Sequence, residues 1–119
     1  MIVRLEIGKH QWRPGETLEG TVSWELTGTP GAVEVRLSWE TQGKGTQDTK
    51  IVQRVRFDNP ALSDRKPFRI ELPEGPYSFS GKLVSLVWSV EAVGESGGKS
   101  GRVKLTISPT GGEILLHRK

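Results

Sequence analysis

Residues 81–93, with the sequence GKLVSLVWSVEAV, decide which kind of fold this chain can form. Side chains alternate between the two faces of a β-strand. One row of this stretch is wholly apolar and comprises Val84, Leu86, Trp88, Val90 and Ala92. The other row turns polar toward its far end and comprises Leu83, Ser85, Val87, Ser89 and Glu91. The pattern predicts an antiparallel strand with one buried and one hydrated face, and Trp88 is expected to fill the middle of the core.

Other stretches alternate in the same way and predict further strands at 2–7, 17–26, 32–41, 50–57, 67–72 and 102–108. In the strand at 50–57, the expected apolar row comprises Ile51, Val55 and Phe57, with Gln53 among them. Residues 61–66 are expected to form an irregular connection with at most one helical turn. Together these patterns predict short strands separated by turns.

Glycine and proline mark two local features. Pro14-Gly15 predicts a tight turn at 13–16, because proline presets φ at its second position and glycine supplies positive φ at its third. Gly20 lies on an otherwise apolar inward row, where it indicates either a bulge or close packing against the backbone.

The length of 119 residues favours one domain. No stretch sustains the apolar repeat of an amphipathic helix, so we expect an all-β, antiparallel, immunoglobulin-like β-sandwich of two sheets with little or no helix. Residues 1–108 are expected to form the sandwich. Residues 109–119 are expected to form a C-terminal tail that adds a strand to its own sheet or exchanges it with another subunit.

Side chains suited to catalysis or metal binding are scattered along the chain. There is no cysteine, and the two histidines, His10 and His117, lie at opposite ends, so we expect no metal and no cofactor. Ser78 and Ser80 lack the helix-bearing elbow of a hydrolase. The chain is therefore predicted not to be an enzyme. An acidic catalytic site stays open only if the fold gathers several of Asp58, Asp64, Glu71 and Glu74 in one cleft.

The net charge of +3 comes mostly from basic residues that alternate with apolar ones. This pattern indicates a solvated sheet face and no nucleic-acid surface, which would add exposed aromatic side chains. We expect no membrane span. The alternating start of the chain favours a strand over a signal peptide, and together with the lack of cysteine it favours a cytoplasmic location.

Binding to another protein remains as the predicted function, and two segments are candidates for the binding surface. The first is the polar loop at 42–48, where the candidate binding residues are Gln42, Lys44, Thr46, Gln47 and Asp48; the alternative is a spacer loop without a partner. The second is the tail, where they are Ile114, Leu115 and Leu116. A tail that pairs with a second copy, or a free edge strand, would give a homodimer.

Two segments resemble the arrestin superfamily. Residues 12–22, WRPGETLEGTV, are similar to its early aromatic-x-Pro-Gly-Glu-x-hydrophobic-x-Gly-x-Val signature. Residues 68–73, FRIELP, followed by Ser78 or Ser80 and by LVWSVEA at 86–92, are similar to its Phe-x-hydrophobic-x-hydrophobic-Pro segment and a later hydrophobic-x-(Tyr/Trp)-x-Val-x-Ala strand. The resemblance covers about residues 1–107.

This resemblance implies an amino-terminal arrestin-like sandwich that works as an adaptor or scaffold by surface contact. The loop at 42–48 would occupy the place of the loop with which arrestins engage receptors. Arrestins pair two sandwiches, whereas the length of this chain is that of one. We therefore expect a single-sandwich bacterial member that dimerises to cover the face left exposed. The alternative is a carbohydrate- or small-ligand-binding sandwich with Trp12, Tyr77 and Phe79 as exposed stacking rings.

Overall fold

Ten β-strands make up the regular structure of the residues that the structure describes. The computed structural model describes residues 2–26, 31–43, 47–80, 84–94, 101–109 and 114–115, and these contain no helix. The strands are β1 (Ile2–Ile7), β2 (Gln11–Trp12), β3 (Thr17–Glu25), β4 (Ala32–Gly43), β5 (Thr49–Asp58), β6 (Ser63–Glu71), β7 (Phe79–Ser80), β8 (Val84–Gly94), β9 (Gly101–Ile107) and β10 (Ile114–Leu115).

The strands form two sheets. The smaller sheet has the order β1-β3-β6 and is antiparallel throughout. In the larger sheet β4 lies between the edge strand β5 and β8. β7 and β9 pair with two different segments of β8. Two short parallel pairs, β2 with β9 and β10 with β7, complete the larger sheet. The predicted all-β sandwich of two sheets is confirmed.

The apolar rows of the two sheets meet in one core. Trp88 is fully buried there, and its indole Nε1 donates a hydrogen bond to the carbonyl oxygen of Pro76 at 2.8 Å. The predicted inward row of β8 is confirmed from Leu86 to Ala92. Val84 is the exception, because it is 41% exposed where β8 begins.

Gly20 of β3 lets the Phe68 ring of β6 and the backbone of β1 approach closely. The β3–β6 pairing continues without a break through Gly20 and Phe68, so there is no bulge. A Cβ on Gly20 would lie 2.7 Å from Cζ of Phe68 and 2.6 Å from the carbonyl oxygen of Glu6. Of the two interpretations that the sequence left open, close packing is the correct one.

A β-bulge in β5 overturns part of the predicted inward row. Leu37 pairs with Gln53, whereas Ser38 pairs with Ile51, so Val52 lies between two successive pairs. One inserted residue reverses the alternation of side chains. As a result Val52 packs against the core and Ile51 shares the outer face with Ser38. The prediction that Ile51 shares a row with Val55 and Phe57 is wrong.

Strand β6 begins earlier than expected. Its pairing with β3 starts at Ser63, so residues 63–66, predicted as an irregular connection, belong to the strand. Pro67 lies within this strand, which is possible because β6 is an edge strand and needs no ladder on its second side.

The predicted turn at 13–16 is confirmed. The amide of Glu16 donates to the carbonyl oxygen of Arg13 at 3.2 Å, and Gly15 has φ of +81°. Backbone hydrogen bonds from Gly15 to Leu72 and from Leu72 to Glu16 join the turn to the end of β6.

Candidate functional site

The end of the β4–β5 hairpin is the first candidate surface. The amide of Thr41 donates to the carbonyl oxygen of Asp48 at 2.8 Å, and the amide of Asp48 donates to Oγ1 of Thr41 at 2.9 Å. These two bonds fix the points where the loop leaves and re-enters the sheet. Gln42, Gln47 and Asp48 are exposed, whereas Lys44 and Thr46 lie outside the described residues.

The edge formed by β7 is the second candidate surface. Ile114 and Leu115 pair in parallel with Phe79 and Ser80 of the same chain. The start of β7 is held firmly, because the buried Ser78 accepts a hydrogen bond at Oγ from the amide of Ile107 at 2.9 Å. Leu116 lies outside the described residues. The division of the chain at residue 108 and the exchange of the tail between copies stay predictions.

A third feature lies on the outer face of the larger sheet and was not predicted. Three arginines of β4 and β5, Arg36, Arg54 and Arg56, converge on the carboxylate of Glu34. Nε of Arg36 lies 2.6 Å and Nε of Arg54 lies 3.3 Å from Oε1, while Nη1 of Arg56 lies 3.7 Å from Oε2. Arg56 also binds Asp58 through Nε at 2.7 Å. We call Glu34 and the three arginines the arginine cluster.

The strand register explains why this cluster forms. Arg36 and Arg54 lie directly opposite each other, and Glu34 lies opposite Arg56. Like charges opposite each other in a sheet destabilise the pairing. The side chain of Glu34, only 13% exposed, lies within reach of both facing arginines and compensates their repulsion. Alternation marked these residues as a solvated face, but only the register brings them together.

Arg102 of β9 forms an ion pair with a residue of β4 on the same outer face. Its Nη2 reaches Oε1 of Glu40 on β4 at 2.8 Å. The strand order places β8 between them, so the arginine passes over the outer side of β8 near Val87 and Ser89. Both residues are buried, although the sequence predicted that their row is hydrated. This part of the prediction is wrong: β8 lies inside the sheet between β4 and β9, so side chains of both neighbouring strands flank its outer face.

The predicted platform of exposed aromatic rings does not form. Trp12 is only 7% exposed, and its Nε1 donates to the carbonyl oxygen of Lys9 at 3.1 Å. Nζ of Lys9 lies 4.3 Å from the centre of the Trp12 ring. Phe79 packs against the core, and Tyr77 is the exposed one at 40%. The carbohydrate-binding alternative therefore loses the surface on which it depended.

The acidic side chains considered for catalysis are not gathered in one cleft. Asp58 contacts Arg56, and Asp64 lines an open depression of about 370 Å³ on the small sheet. Glu71 and Glu74 line another depression of about 340 Å³. Within the described ranges no group of three or more His, Asp or Glu side chains is placed to hold a metal ion.

None of the described segments forms a helix with the length and apolar character that crossing a bilayer requires.

Comparison with known proteins supports the fold. No protein family profile matches the sequence. No curated protein matches it either. Among solved structures, the chain is similar to Spo0M, the sporulation control protein from Bacillus subtilis, with a TM-score of 0.62 and 18% sequence identity over 89% of this chain. The chain spans 48% of Spo0M, about half its length. At this identity the likeness shows the fold alone, an arrestin-like sandwich.

Two further matches correct the prediction that the chain is not an enzyme. They are superoxide reductase (neelaredoxin) from Ignicoccus hospitalis and a single-substitution variant of it, each 12% identical, covering 88% of this chain and 80% of theirs. The matched structures thus include enzymes, so the sandwich does not exclude catalysis. At TM-scores of 0.41 and 0.42 these likenesses carry no argument for that reaction in this chain.

Proposed function

We propose that this chain is a protein-interaction module of the arrestin superfamily, an adaptor that binds a protein partner through the end of its β4–β5 hairpin. The proposed contact residues are Gln42, Lys44, Thr46, Gln47 and Asp48. The observation that carries the proposal is the double hydrogen bond between Thr41 and Asp48, next to which Gln42 and Gln47 are exposed.

The physical support is preorganisation. A loop whose two ends are already fixed loses less conformational entropy when a partner orders it, so more of the contact free energy appears as affinity. β4 is paired along both of its sides, with β5 and with β8, which makes the base of the hairpin rigid. The amide and carboxylate groups of the loop then supply hydrogen bonds to a partner.

The second proposed contact is the tail, with Ile114, Leu115 and Leu116. Because β7 accepts a parallel strand along its edge, the same edge can accept a tail from a second copy, which would give a homodimer by strand exchange.

The likeness to Spo0M, whose description is that of a sporulation control protein, supports a regulatory role for the interaction. We place this role in the cytoplasm of a bacterium, in line with a chain that contains no cysteine.

The hairpin contact is tested by photo-crosslinking in the native cells. A photoreactive amino acid is placed at Gln47 in one variant and at Arg4, exposed on the other sheet, in a control variant. We expect a discrete crosslinked protein with the Gln47 variant and none with the Arg4 variant, followed by identification through mass spectrometry. Equal crosslinking from both positions, or none from Gln47, would contradict the proposal.

The tail contact is tested by size-exclusion chromatography with light scattering. We expect the fraction of dimer to increase with protein concentration in the wild type. The double variant Ile114→Asp/Leu115→Asp is expected to stay monomeric. A wild-type chain that stays monomeric at high concentration removes the homodimer from the proposal and leaves the hairpin contact untouched.

A further inference from the structure

Tyr77 is an exposed aromatic residue on a backbone that is held on both sides. It is 40% exposed. Before it, the carbonyl oxygen of Pro76 accepts the hydrogen bond from Nε1 of Trp88 at 2.8 Å. After it, the amide of Ser78 donates to the carbonyl oxygen of Ile107 at 2.7 Å. The residue is therefore presented to solvent from a fixed position, so that burying it against a partner costs little backbone entropy.

The direction of the tail decides on which side of β7 a second copy would lie. β10 pairs with β7 in parallel, with Ile114 opposite Phe79. Because parallel strands run in the same direction, the chain reaches Ile114 from the end of β7 that Ser78 and Tyr77 precede. A second copy that supplies this strand is therefore connected to it on the Tyr77 side of β7.

The connection that an exchange would use is short. Its start is fixed, because Ser108 is buried and its amide donates to the carbonyl oxygen of Trp12 at 3.1 Å. Six peptide links separate Ser108 from Ile114, and a fully extended chain of that length spans about 20 Å. The body of the second copy must therefore lie within this distance of the β7 edge.

Both ends of each connection lie close to a Tyr77. Each connection begins next to Ile107, which is bonded to the residue after Tyr77 of its own copy. It ends opposite Phe79, two residues after Tyr77 of the other copy. In a two-fold symmetric dimer the same surface patch of both copies forms the interface. Exchange of the tail thus brings the two Tyr77 residues to one interface.

We propose that Tyr77 is the apolar anchor of an interface between two copies of this chain. The inference rests on the proposed function, since it starts from the exchange of the tail, and it names the residue that the second copy buries. Tyrosine suits this role because its ring contributes a large apolar area while its hydroxyl group can stay hydrated or bonded at the rim.

Leu62 is the matched control, because it is exposed but distant from the exchange point. It is 56% exposed just before β6 begins, whereas Tyr77 lies beyond the end of that strand. β6 is nine residues long, which corresponds to about 30 Å. Loss of an exposed apolar side chain at Leu62 therefore reports the general effect of such a change away from the proposed interface.

The test measures the dimer dissociation constant of the full chain by analytical ultracentrifugation over a range of concentrations. We expect Tyr77→Ala to raise this constant by about tenfold or more, as for other tyrosine hot spots. Leu62→Ala is expected to change it by about twofold or less. An equal change in both variants, or an unchanged constant in Tyr77→Ala, overturns the proposal.

Tyr77→Phe separates the ring from the hydroxyl group. It keeps the apolar ring, so we expect a dissociation constant within about threefold of the wild type. A loss as large as that of Tyr77→Ala would overturn the assignment of the ring as the anchor. Thermal unfolding shows whether each variant is folded, and Tyr77→Phe together with the distances below decides the proposal if Tyr77→Ala is not.

Distances between copies test the placement of the interface with Tyr77 intact. The chain contains no cysteine, so a single introduced cysteine carries a spin label for electron–electron resonance. Gly75→Cys labels the interface side, since nothing lies within 4 Å of a Cβ at Gly75, and Leu62→Cys labels the distant end. We expect the distance between labels in the dimer to be shorter for Gly75→Cys; the reverse order overturns the proposal.

The outcomes separate this inference from the proposed function. If the wild type dimerises, Ile114→Asp/Leu115→Asp abolishes the dimer and Tyr77→Ala leaves it unchanged, the tail contact stands and this inference alone fails. A wild type that is monomeric at every concentration overturns both the tail contact and this inference. A crosslink at Gln47 would still support the hairpin contact in either case.

Discussion

On the outer face of the small sheet, Arg69 and Glu19 form an ion pair at 3.1 Å in which both side chains are well exposed. On the outer face of the larger sheet, Glu34 is mostly buried and three arginines approach it. The first arrangement is a single pair in water, which contributes little to stability. The second joins cross-strand neighbours that would otherwise repel each other. An exposed ion pair and a cluster of cross-strand charges therefore differ in what they contribute to stability.

The largest expected effect concerns the core on which both faces depend. Trp88 is the largest fully buried side chain. We expect Trp88→Ala to lower the free energy of unfolding by about 3–5 kcal/mol, because a large cavity opens between the sheets. Chemical denaturation followed by circular dichroism measures it. Trp88→Phe keeps a ring but loses the hydrogen bond to Pro76 and should cost clearly less; equal losses would mean that the cavity is not the cause.

The small sheet is tested at Gly20. Gly20→Ala is expected to cost about 1–3 kcal/mol of unfolding free energy through overpacking, because the new methyl group meets the Phe68 ring and the Glu6 carbonyl group. Gly8→Ala is the control, since nothing lies within 4 Å of its Cβ position. If the Gly20→Ala variant were as stable as the control, β1 and the Phe68 ring would have to move away from β3 at little cost.

The comparison of the outer faces is tested directly by two glutamate variants. Glu34→Gln is expected to cost about 1–2 kcal/mol, because Arg36 and Arg54 lose their shared anion. Glu19→Gln is expected to cost about 0.5 kcal/mol or less. Both are measured by urea denaturation. At about 1 M salt the loss in Glu34→Gln should shrink, since screening weakens the repulsion between the arginines. Equal losses in the two variants would remove the distinction between the faces.

The smallest effect is a dependence on pH at the turn between β2 and β3. The backbone amide of Arg13 donates to Oε1 of Glu16 at 2.6 Å and, with Lys9 nearby, lowers the pKa of this carboxyl group below its usual value. Because the pKa is lowered in the folded state, ionised Glu16 stabilises the fold at neutral pH, and this stabilisation is lost as the pH falls through the lowered pKa. NMR titration of Glu16 measures it. A titration of Glu16 at the ordinary pKa of glutamate would contradict this assignment.

Alternation was sufficient to predict most strands and their inward rows, because the period of two belongs to the strand itself. It was insufficient at Val52, where a bulge reverses the row, and at Val87, which is buried on the face predicted to be hydrated. It also placed the start of β6 too late, since charged residues at 64–66 gave no sign that they pair with β3.

The candidate site was predictable to different degrees. The hairpin loop was recognisable from its polar composition between two patterned strands. The arginine cluster was not, because Arg36 and Arg54 are neighbours only through the register of β4 against β5. The local pattern of apolar and polar residues thus determined that the chain forms a two-layer β-sandwich with Trp88 at its centre. Tertiary structure alone decided which charges meet, since contacts across strands depend on pairing that no single stretch of sequence specifies.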